Sequence, residues 1–425
     1  MSQVTVSSAN PFTLNIANIA PDKSISHRSV MFAMLADGVS EISNFLRAED
    51  TLNSLEIVKN LGATVEDNGE IIKISSNGIK ESFEVLDCGN SGTGMRLFCG
   101  LLSSANGHFV LTGDKYLRSR PMKRVTTPLL NIGAKLDGRE EGDLAPLSIR
   151  GASLKAFDYK SEIASAQVKS AMILAALRAD GTCTYEEPEL SRDHTERMLS
   201  GMGANIKVEG LTTTIEPMKN LLSPLSIRVP ADPSSAFFFA VAAAIIPNSN
   251  ITLEGVTLNP TRIEAFKALE RMGANIQYKI TDDRYEPIGN ISVKYAPLKG
   301  IVIEDNISWL IDELPALSIA MSCAEGESIV RNAEELRVKE SDRISTVVEG
   351  LKSCKIEVEE YKDGYKILGG ELQSAQIESD GDHRIAMSFI IAGLKCGMQV
   401  RDLECINTSF PNFFELVKQI TEIKL

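Results

Sequence analysis

The chain lacks any apolar run of membrane-spanning length. The longest, Ala236–Ile246, falls well short of the roughly 20 residues a helix needs to cross a bilayer. It lacks an excess of positive charge: 44 lysines and arginines face 57 aspartates and glutamates, a net −13. That balance argues against a general nucleic-acid binder. The start, Met1-Ser-Gln-Val-Thr5, has neither the basic nor the apolar region of a secretory signal. Seven cysteines (88, 99, 183, 323, 354, 396 and 405) form no CxxC pair, and their odd number fits no closed disulfide framework. None of the four histidines stands in a metal-ligand spacing. The glycine-rich run Gly89-Asn-Ser-Gly-Thr-Gly94 lacks the GK[ST] of a P-loop and does not fit the dinucleotide fingerprint. His194-Thr-Glu196 is not a zincin pattern, and no cysteine has a neighbouring histidine to activate it. These absences predict an acidic cytoplasmic protein with reduced cysteines, no metal and no cofactor.

What is present is a core-forming composition, 43% hydrophobic and 24% charged, over 425 residues. That length suits two or three domains. One phrase recurs: Leu61-Gly-Ala-Thr-Val, Ile132-Gly-Ala-Lys-Leu, Met202-Gly-Ala-Asn-Ile and Met272-Gly-Ala-Asn-Ile. Its glycines lie 71, 70 and 70 residues apart, and a degenerate copy, Leu351-Lys-Ser-Cys-Lys-Ile, follows 80 residues later. Each copy closes an amphipathic stretch, so the glycine reads as a helix C-cap before a strand. A second series interleaves with the first: Ser24–Asp37, Gly92–Asn106, Ala166–Asp180, Ser234–Pro247, Pro315–Glu325 and Arg384–Cys396. These segments are apolar nearly all round, which predicts buried core helices. Six units averaging about 71 residues account for the chain. The sixth runs out after Pro411–Ile420, whereas Val4–Ile16 alternates with no helix before it. The N-terminal strands are therefore expected to complete the sixth unit, giving two three-unit domains with crossings near Ile19–Pro21 and Val229–Pro233.

Unusual polar residues collect at the starts of the buried helices: Lys23-Ser24 with Arg28, Asn90-Ser91-Gly92 with Arg96, Ser165-Ala166-Gln167 with Lys169, and His383-Arg384. Asp232-Ser234 and Asp312 take the matching places in units four and five. A helix N-terminus favours an anion, and a cation there costs the helix ~0.3–1 kcal/mol. Repetition of that cost around the array predicts shared anion recognition. Further positive charge lies at Lys115, Arg118, Arg120, Lys123, Arg124, Arg192, Arg337, Lys339 and Arg343. The expected ligand is a small polyanion carrying phosphate and carboxylate. Asp312 and Glu340 are the acid–base candidates, and Glu340, between Lys339 and Arg343, is expected to stay ionised until substrate charge rebalances it.

Six motifs in order, Asp22-Lys-Ser-Ile-Ser-His-Arg28, Gly89–Arg96, Arg120-Pro-Met, Ser165-Ala-Gln167, Arg337–Arg343 and Asp382-His-Arg384, resemble the 5-enolpyruvylshikimate-3-phosphate (EPSP) synthase family. The resemblance implies an α/β fold of two domains, each of three βαβαββ units (an inside-out α/β barrel), linked by a two-stranded hinge. It implies a discontinuous domain of residues 1–20 plus 230–425, an inserted domain of residues 21–229, and an active site in the cleft between them. The implied reaction moves the enolpyruvyl group of phosphoenolpyruvate to the 5-hydroxyl of shikimate 3-phosphate, releasing phosphate, in a monomer. Carried onto this sequence, Lys23, Ser24, Arg28, Ser165, Gln167, Asp312 and Lys339 would hold shikimate 3-phosphate, and Ala166 and Arg192 are further substrate-binding candidates. Lys23, Asn90, Gly92, Arg120, Gln167, Arg343 and Arg384 would hold phosphoenolpyruvate. Asp312 would take the hydroxyl proton, while Glu340 or Lys23 would serve C3. The alternatives are the sister UDP-N-acetylglucosamine enolpyruvyl transferases, whose reactive cysteine has no counterpart in Gly113–Arg120, and a non-catalytic anion-binding scaffold. Gly113-Asp-Lys and Arg192–Glu196 resemble class II members, the group associated with glyphosate tolerance; Gly92 stands where the most tolerant members have alanine.

Overall fold

The computed structural model describes residues 3–283 and 286–424. The repeat is realised as six separate four-stranded sheets. In each, a first strand runs parallel to a second, the second pairs antiparallel with the fourth, and the fourth with the third. The chain divides into two compact units, one of Pro21–Val229 and one of the residues up to Ala20 together with those from Pro230 onward.

The strands alternate while the second helix series does not, and that difference decides the layering of each unit. Along Gln3–Val6 and Val39–Ser43 every second side chain is buried and the rest face solvent. By contrast, all thirteen residues of helix Pro233–Ile245 and all nine of Leu314–Ser322 are buried. Burying a Leu, Ile or Phe side chain stabilises by roughly 1.5–3 kcal/mol, so the helices form the centre of each unit and the sheets its outer wall. Five of the six core helices are shorter than their apolar stretches, His383–Cys396 being the exception. Lys23–Ala33 stops because Met34, Leu35 and Ala36 tighten onto carbonyls three residues back, and Ala36 then bridges to Leu222.

The amphipathic helices end as their glycines require. Gly62, Gly133, Gly203 and Gly273 have φ of 95°, 96°, 95° and 110°, in the left-handed region that glycine enters without a Cβ clash. At each, the glycine N–H donates to the carbonyl three residues back and the following alanine N–H to the one five back, the double closure of a Schellman turn. The fifth copy makes the same two bonds at Lys355 and Ile356, with Lys355 at φ 64°. The true register of that copy is therefore Cys354-Lys-Ile-Glu-Val, with lysine in the glycine place.

The N-terminal strands separate, contrary to the expectation that both finish the sixth unit. Gln3–Val6 lies between Met398–Arg401 and a short terminal strand, Ile423–Lys424, antiparallel to both. Thr13–Ile16 instead pairs parallel with Asn250–Thr257 and serves as first strand of the fourth sheet. Ser226–Arg228 does the same for Val39–Ser43 in the first sheet. Each unit thus closes by bringing a distant strand to its own beginning.

Among the described residues no helix is long and apolar enough to cross a membrane, and no group of three or more His, Cys, Asp or Glu side chains could hold a metal ion. All seven cysteines are free thiols. Burial pushes the Cys99 thiol up to about 12 and Cys88 well above its usual value, which suits packing and not nucleophilic attack.

Candidate active site

In the inserted unit three core helices begin among the predicted polar residues. Asp22 caps Lys23–Ala33 by accepting the Ile25 N–H at 2.8 Å, which leaves Lys23 and Ser24 in the first turn. Lys23 Nζ meets Asp50 Oδ2 at 2.5 Å, and Asp50 is buried on the amphipathic helix Glu49–Asn60. Arg28, one turn on, donates Nη1–H to the Ser24 carbonyl at 3.0 Å. Its Nε–H goes to Thr195 Oγ1 at 2.7 Å and its Nη2–H to Ser170 Oγ at 2.8 Å. Between Lys23 and Arg28, His27 spans two hydroxyls, Ser54 at 2.8 Å and Ser91 at 3.1 Å. Burial first, then the Lys23 and Arg28 charges, hold His27 well below the ordinary histidine value, so it is neutral.

Ser91 also caps Gly92–Leu102 by accepting the Gly94 N–H at 2.9 Å. Asn90 donates its side-chain amide to Asp114 at 2.8 Å, and its carbonyl accepts Arg120 Nη1–H at 3.1 Å. A Cβ on Gly92 would lie 3.2 Å from Nη1 of both Arg120 and Arg96; hydrogen there lets two guanidinium groups approach the helix start. Arg96 donates to Gln167 Oε1, and Gln167 Nε2–H to Thr93 Oγ1 at 2.8 Å. Ser165 occupies the N-cap of Ala166–Ala176 but makes no capping bond with its side chain. Its ordinary structural role is thus unused, unlike that of Ser91. Arg192 is half-buried in the loop before helix His194–Gly201.

In the discontinuous unit the organising group is Arg343, 1% exposed. It donates Nε–H to Asp382 Oδ2 at 2.7 Å, Nη2–H to Glu340 Oε2 at 2.6 Å and Nη1–H to Asp312 Oδ1 at 3.3 Å. Burial opposes its charge, but Asp382, Glu340 and Asp312 outweigh burial and raise its affinity for its proton. Asp382 also caps helix His383–Cys396 by accepting the Arg384 N–H at 2.8 Å. Burial works against the Asp382 carboxylate, yet Arg343 prevails and keeps it below the usual range. Lys339 Nζ lies 3.2 Å from Glu335 and 4.0 Å from Asp312.

Several predicted cations belong elsewhere. Lys169 is buried between Glu187 at 2.7 Å and Glu196 at 2.8 Å. Burial opposes its charge, and the two carboxylates hold it above the usual lysine value regardless. Arg337 spends its guanidinium on Asp342, Glu360 and the Lys362 and Tyr361 carbonyls, tying down the strand pair beside it. Asp232 and Ser234 are bound to buried Arg262 at 3.0 and 3.1 Å, and Ser234 donates to Glu313. Of the basic run 115–124, Lys115, Arg118 and Lys123 are exposed while Arg120 is buried. Sequence reasoning missed Asp50, His27 and Asp382 as organisers. Asp382 and His27 stand inside recognisable motifs, whereas Asp50 lies in an ordinary amphipathic helix with nothing to mark it.

The two sets share a character: each places lysine or arginine beside carboxylates or helix starts, in partly buried surroundings where charge-assisted bonds are strong. Such groups can hold phosphate and carboxylate, and Asp312 and Glu340 can exchange protons. Comparison with known proteins gives a consistent result. The family model for EPSP synthase (3-phosphoshikimate 1-carboxyvinyltransferase) matches residues 10–417. A curated 3-phosphoshikimate 1-carboxyvinyltransferase of Sulfurimonas denitrificans is 78% identical over 424 residues, covering 100% of this chain and 99% of the relative. One from Nitratiruptor sp. is 64% identical over 430 residues, again covering 100% and 99%. A solved EPSP synthase from Acinetobacter baumannii superimposes with a TM-score of 0.88 at 39% identity, covering all of both chains. With βαβαββ sheets, motifs and full-length similarity in agreement, the chain belongs to the EPSP synthase family.

Proposed function

We propose that this protein transfers the enolpyruvyl group of phosphoenolpyruvate to the 5-hydroxyl of shikimate 3-phosphate, giving EPSP and phosphate. The reading is supported by family membership and by the curated relatives of that name. The observation that carries it is the pairing of Asp312 and Glu340 on the single guanidinium of Arg343. In this reading Lys23, Ser24, Arg28, Ser165, Ala166, Gln167, Arg192 and Lys339 hold shikimate 3-phosphate. Arg120, Arg343, Arg384, Gln167, Lys23 and the Asn90–Gly92 backbone hold phosphoenolpyruvate. The protein acts as a cytoplasmic monomer on these free small molecules, with no metal or cofactor.

The chemistry needs one proton delivered and one removed at C3, and one removed from the acceptor hydroxyl. Protonating C3 of phosphoenolpyruvate makes C2 cationic. The 5-hydroxyl adds to C2 as it gives its proton to Asp312, forming a tetrahedral intermediate. Loss of phosphate and of a C3 proton to Glu340 restores the double bond. A substrate anion arriving at Arg343 competes with Glu340 and Asp312 for the same guanidinium. That competition weakens the force keeping both carboxylates ionised and raises their proton affinity when transfer is required. Lys23 and Arg120 then stabilise charge on the leaving phosphate.

Phosphate release, measured with phosphoenolpyruvate and each acceptor in turn, tests the assignment. Turnover is expected with shikimate 3-phosphate; turnover with UDP-N-acetylglucosamine alone would overturn it. Asp312→Ala should still bind both substrates while kcat falls by roughly 10²–10⁴, the range for loss of a positioned base. Near-normal kcat would remove Asp312 from that role.

A further inference from the structure

The Arg28 guanidinium is only partly aimed by its own helix, through Nη1–H on the Ser24 carbonyl. Two hydroxyls fix it, Thr195 Oγ1 on Nε and Ser170 Oγ on Nη2, and these hydroxyls lie 2.7 Å from each other. Ser170 belongs to helix Ala166–Ala176 and Thr195 to helix His194–Gly201, so the aim of Arg28 depends on how those two helices are registered. The neighbouring residue on each sets that register: Lys169 Nζ meets Glu196 Oε1 at 2.8 Å, with all of both side chains but a few percent buried. Lys169 also meets Glu187 at 2.7 Å and donates to the Ser191 carbonyl at 3.2 Å, while Ser191 Oγ–H closes onto Glu187 at 2.6 Å. Ser191 immediately precedes Arg192, so the same ammonium anchors the loop that carries a second predicted substrate-binding arginine.

We propose that Thr195, Ser170 and the buried Lys169–Glu187–Glu196 triad are positioning residues for shikimate 3-phosphate recognition, acting through Arg28 and Arg192. The proposal rests on the reading of Arg28 as a ligand of that substrate. None of the five need touch either substrate. Their effect is to hold one guanidinium in a single orientation before the phosphorylated acceptor arrives, which lowers the ordering cost of binding. Phosphoenolpyruvate affinity should change less, because Gln167 is the one residue of that helix that also serves it.

The test separates the KM values of the two substrates in steady-state phosphate release, with thermal melts as the folding control. Thr195→Val keeps the shape and removes the hydroxyl. It should raise KM for shikimate 3-phosphate about tenfold or more while leaving KM for phosphoenolpyruvate within about twofold, the loss of a hydrogen bond to a charged group being of that size. Thr195→Ser should restore most of the affinity. Lys169→Met alone would strand two buried carboxylates and risks unfolding, so the triad is tested as Lys169→Met, Glu187→Gln and Glu196→Gln together, with the same selective KM effect expected. Arg28→Ala distinguishes the two ways of failing. If Arg28→Ala weakens shikimate 3-phosphate but a folded Thr195→Val does not, the positioning role is wrong. If Arg28→Ala itself changes nothing, the ligand reading of Arg28 fails, and the positioning proposal with it.

Discussion

His27 shows how one side chain organises several. Its two ring nitrogens reach Ser54, on the helix that carries Asp50, and Ser91, at the start of the Gly92 helix. Lys23 and Arg28 flank it in sequence, and burial together with their charges keeps it neutral. The sign of the pH effect follows. The folded-state value lies below the unfolded 6.5, so the unfolded chain takes up a proton first as pH falls. Stability is complete above about pH 6.5 and declines below it. Between about pH 7 and about pH 5.5 this one group should lower the unfolding free energy. Urea melts of native protein and His27→Gln at the two pH values check this; an unchanged difference in the variant would assign the acid sensitivity elsewhere. The residue scale also shows what charge in a sequence conceals. Arg28, Lys169 and Arg337 look alike as letters, yet Lys169 and Arg337 are consumed by carboxylates far off in the chain, Glu187 and Glu360 among them. The identity of a partner is a three-dimensional fact: Arg28 and Arg337 both stand inside motifs, and only the structure shows Arg337 held by Asp342 and Glu360.

At the scale of elements, the helices and their ends were the legible part. The Gly-Ala phrase marks a left-handed turn because only glycine is unstrained there, and four of the five copies keep it. The first strand was legible in the fourth sheet, as part of Val4–Ile16, but not in the others. Leu86–Asp87 and Val302–Ile303 have two residues each, and Ser226–Arg228 and Gln376–Glu378 have three. Such strands are too short to display an alternation. The caps permit a paired prediction of opposite sign. A Cβ on Gly203 would meet no atom within 4 Å, so Gly203→Ala isolates the backbone penalty and should destabilise the inserted unit by about 1–2 kcal/mol. Lys355 already bears that penalty at φ 64°, and Lys355→Gly should stabilise the other unit by about 0.5–1 kcal/mol, less than the full strain because glycine loosens the unfolded chain. Chemical denaturation of each variant reports the direction, and two changes of the same sign would contradict the shared-turn account.

At the scale of the whole molecule, the two ends of the chain belong to one unit. Removing residues 1–18 deletes an inner strand of one sheet and the parallel edge strand of another. The orphaned edges of Met398–Arg401 and Asn250–Thr257 would then expose unpaired backbone groups and the apolar faces beneath them. The truncated protein should lose the cooperative unfolding of its discontinuous unit while Pro21–Val229 still melts; a two-unit calorimetric profile like that of the full chain would contradict this. The same connectivity has a temporal side. The inserted unit is contiguous, with both partners of its closing strand pair inside Pro21–Val229. Gln3–Val6 must wait for strands nearly 400 residues downstream. At roughly 5–20 residues per second on a ribosome, that wait lasts about 20–80 seconds. The newborn chain therefore carries a finished half and an open strand edge together, and the first residues made are among the last to find their place.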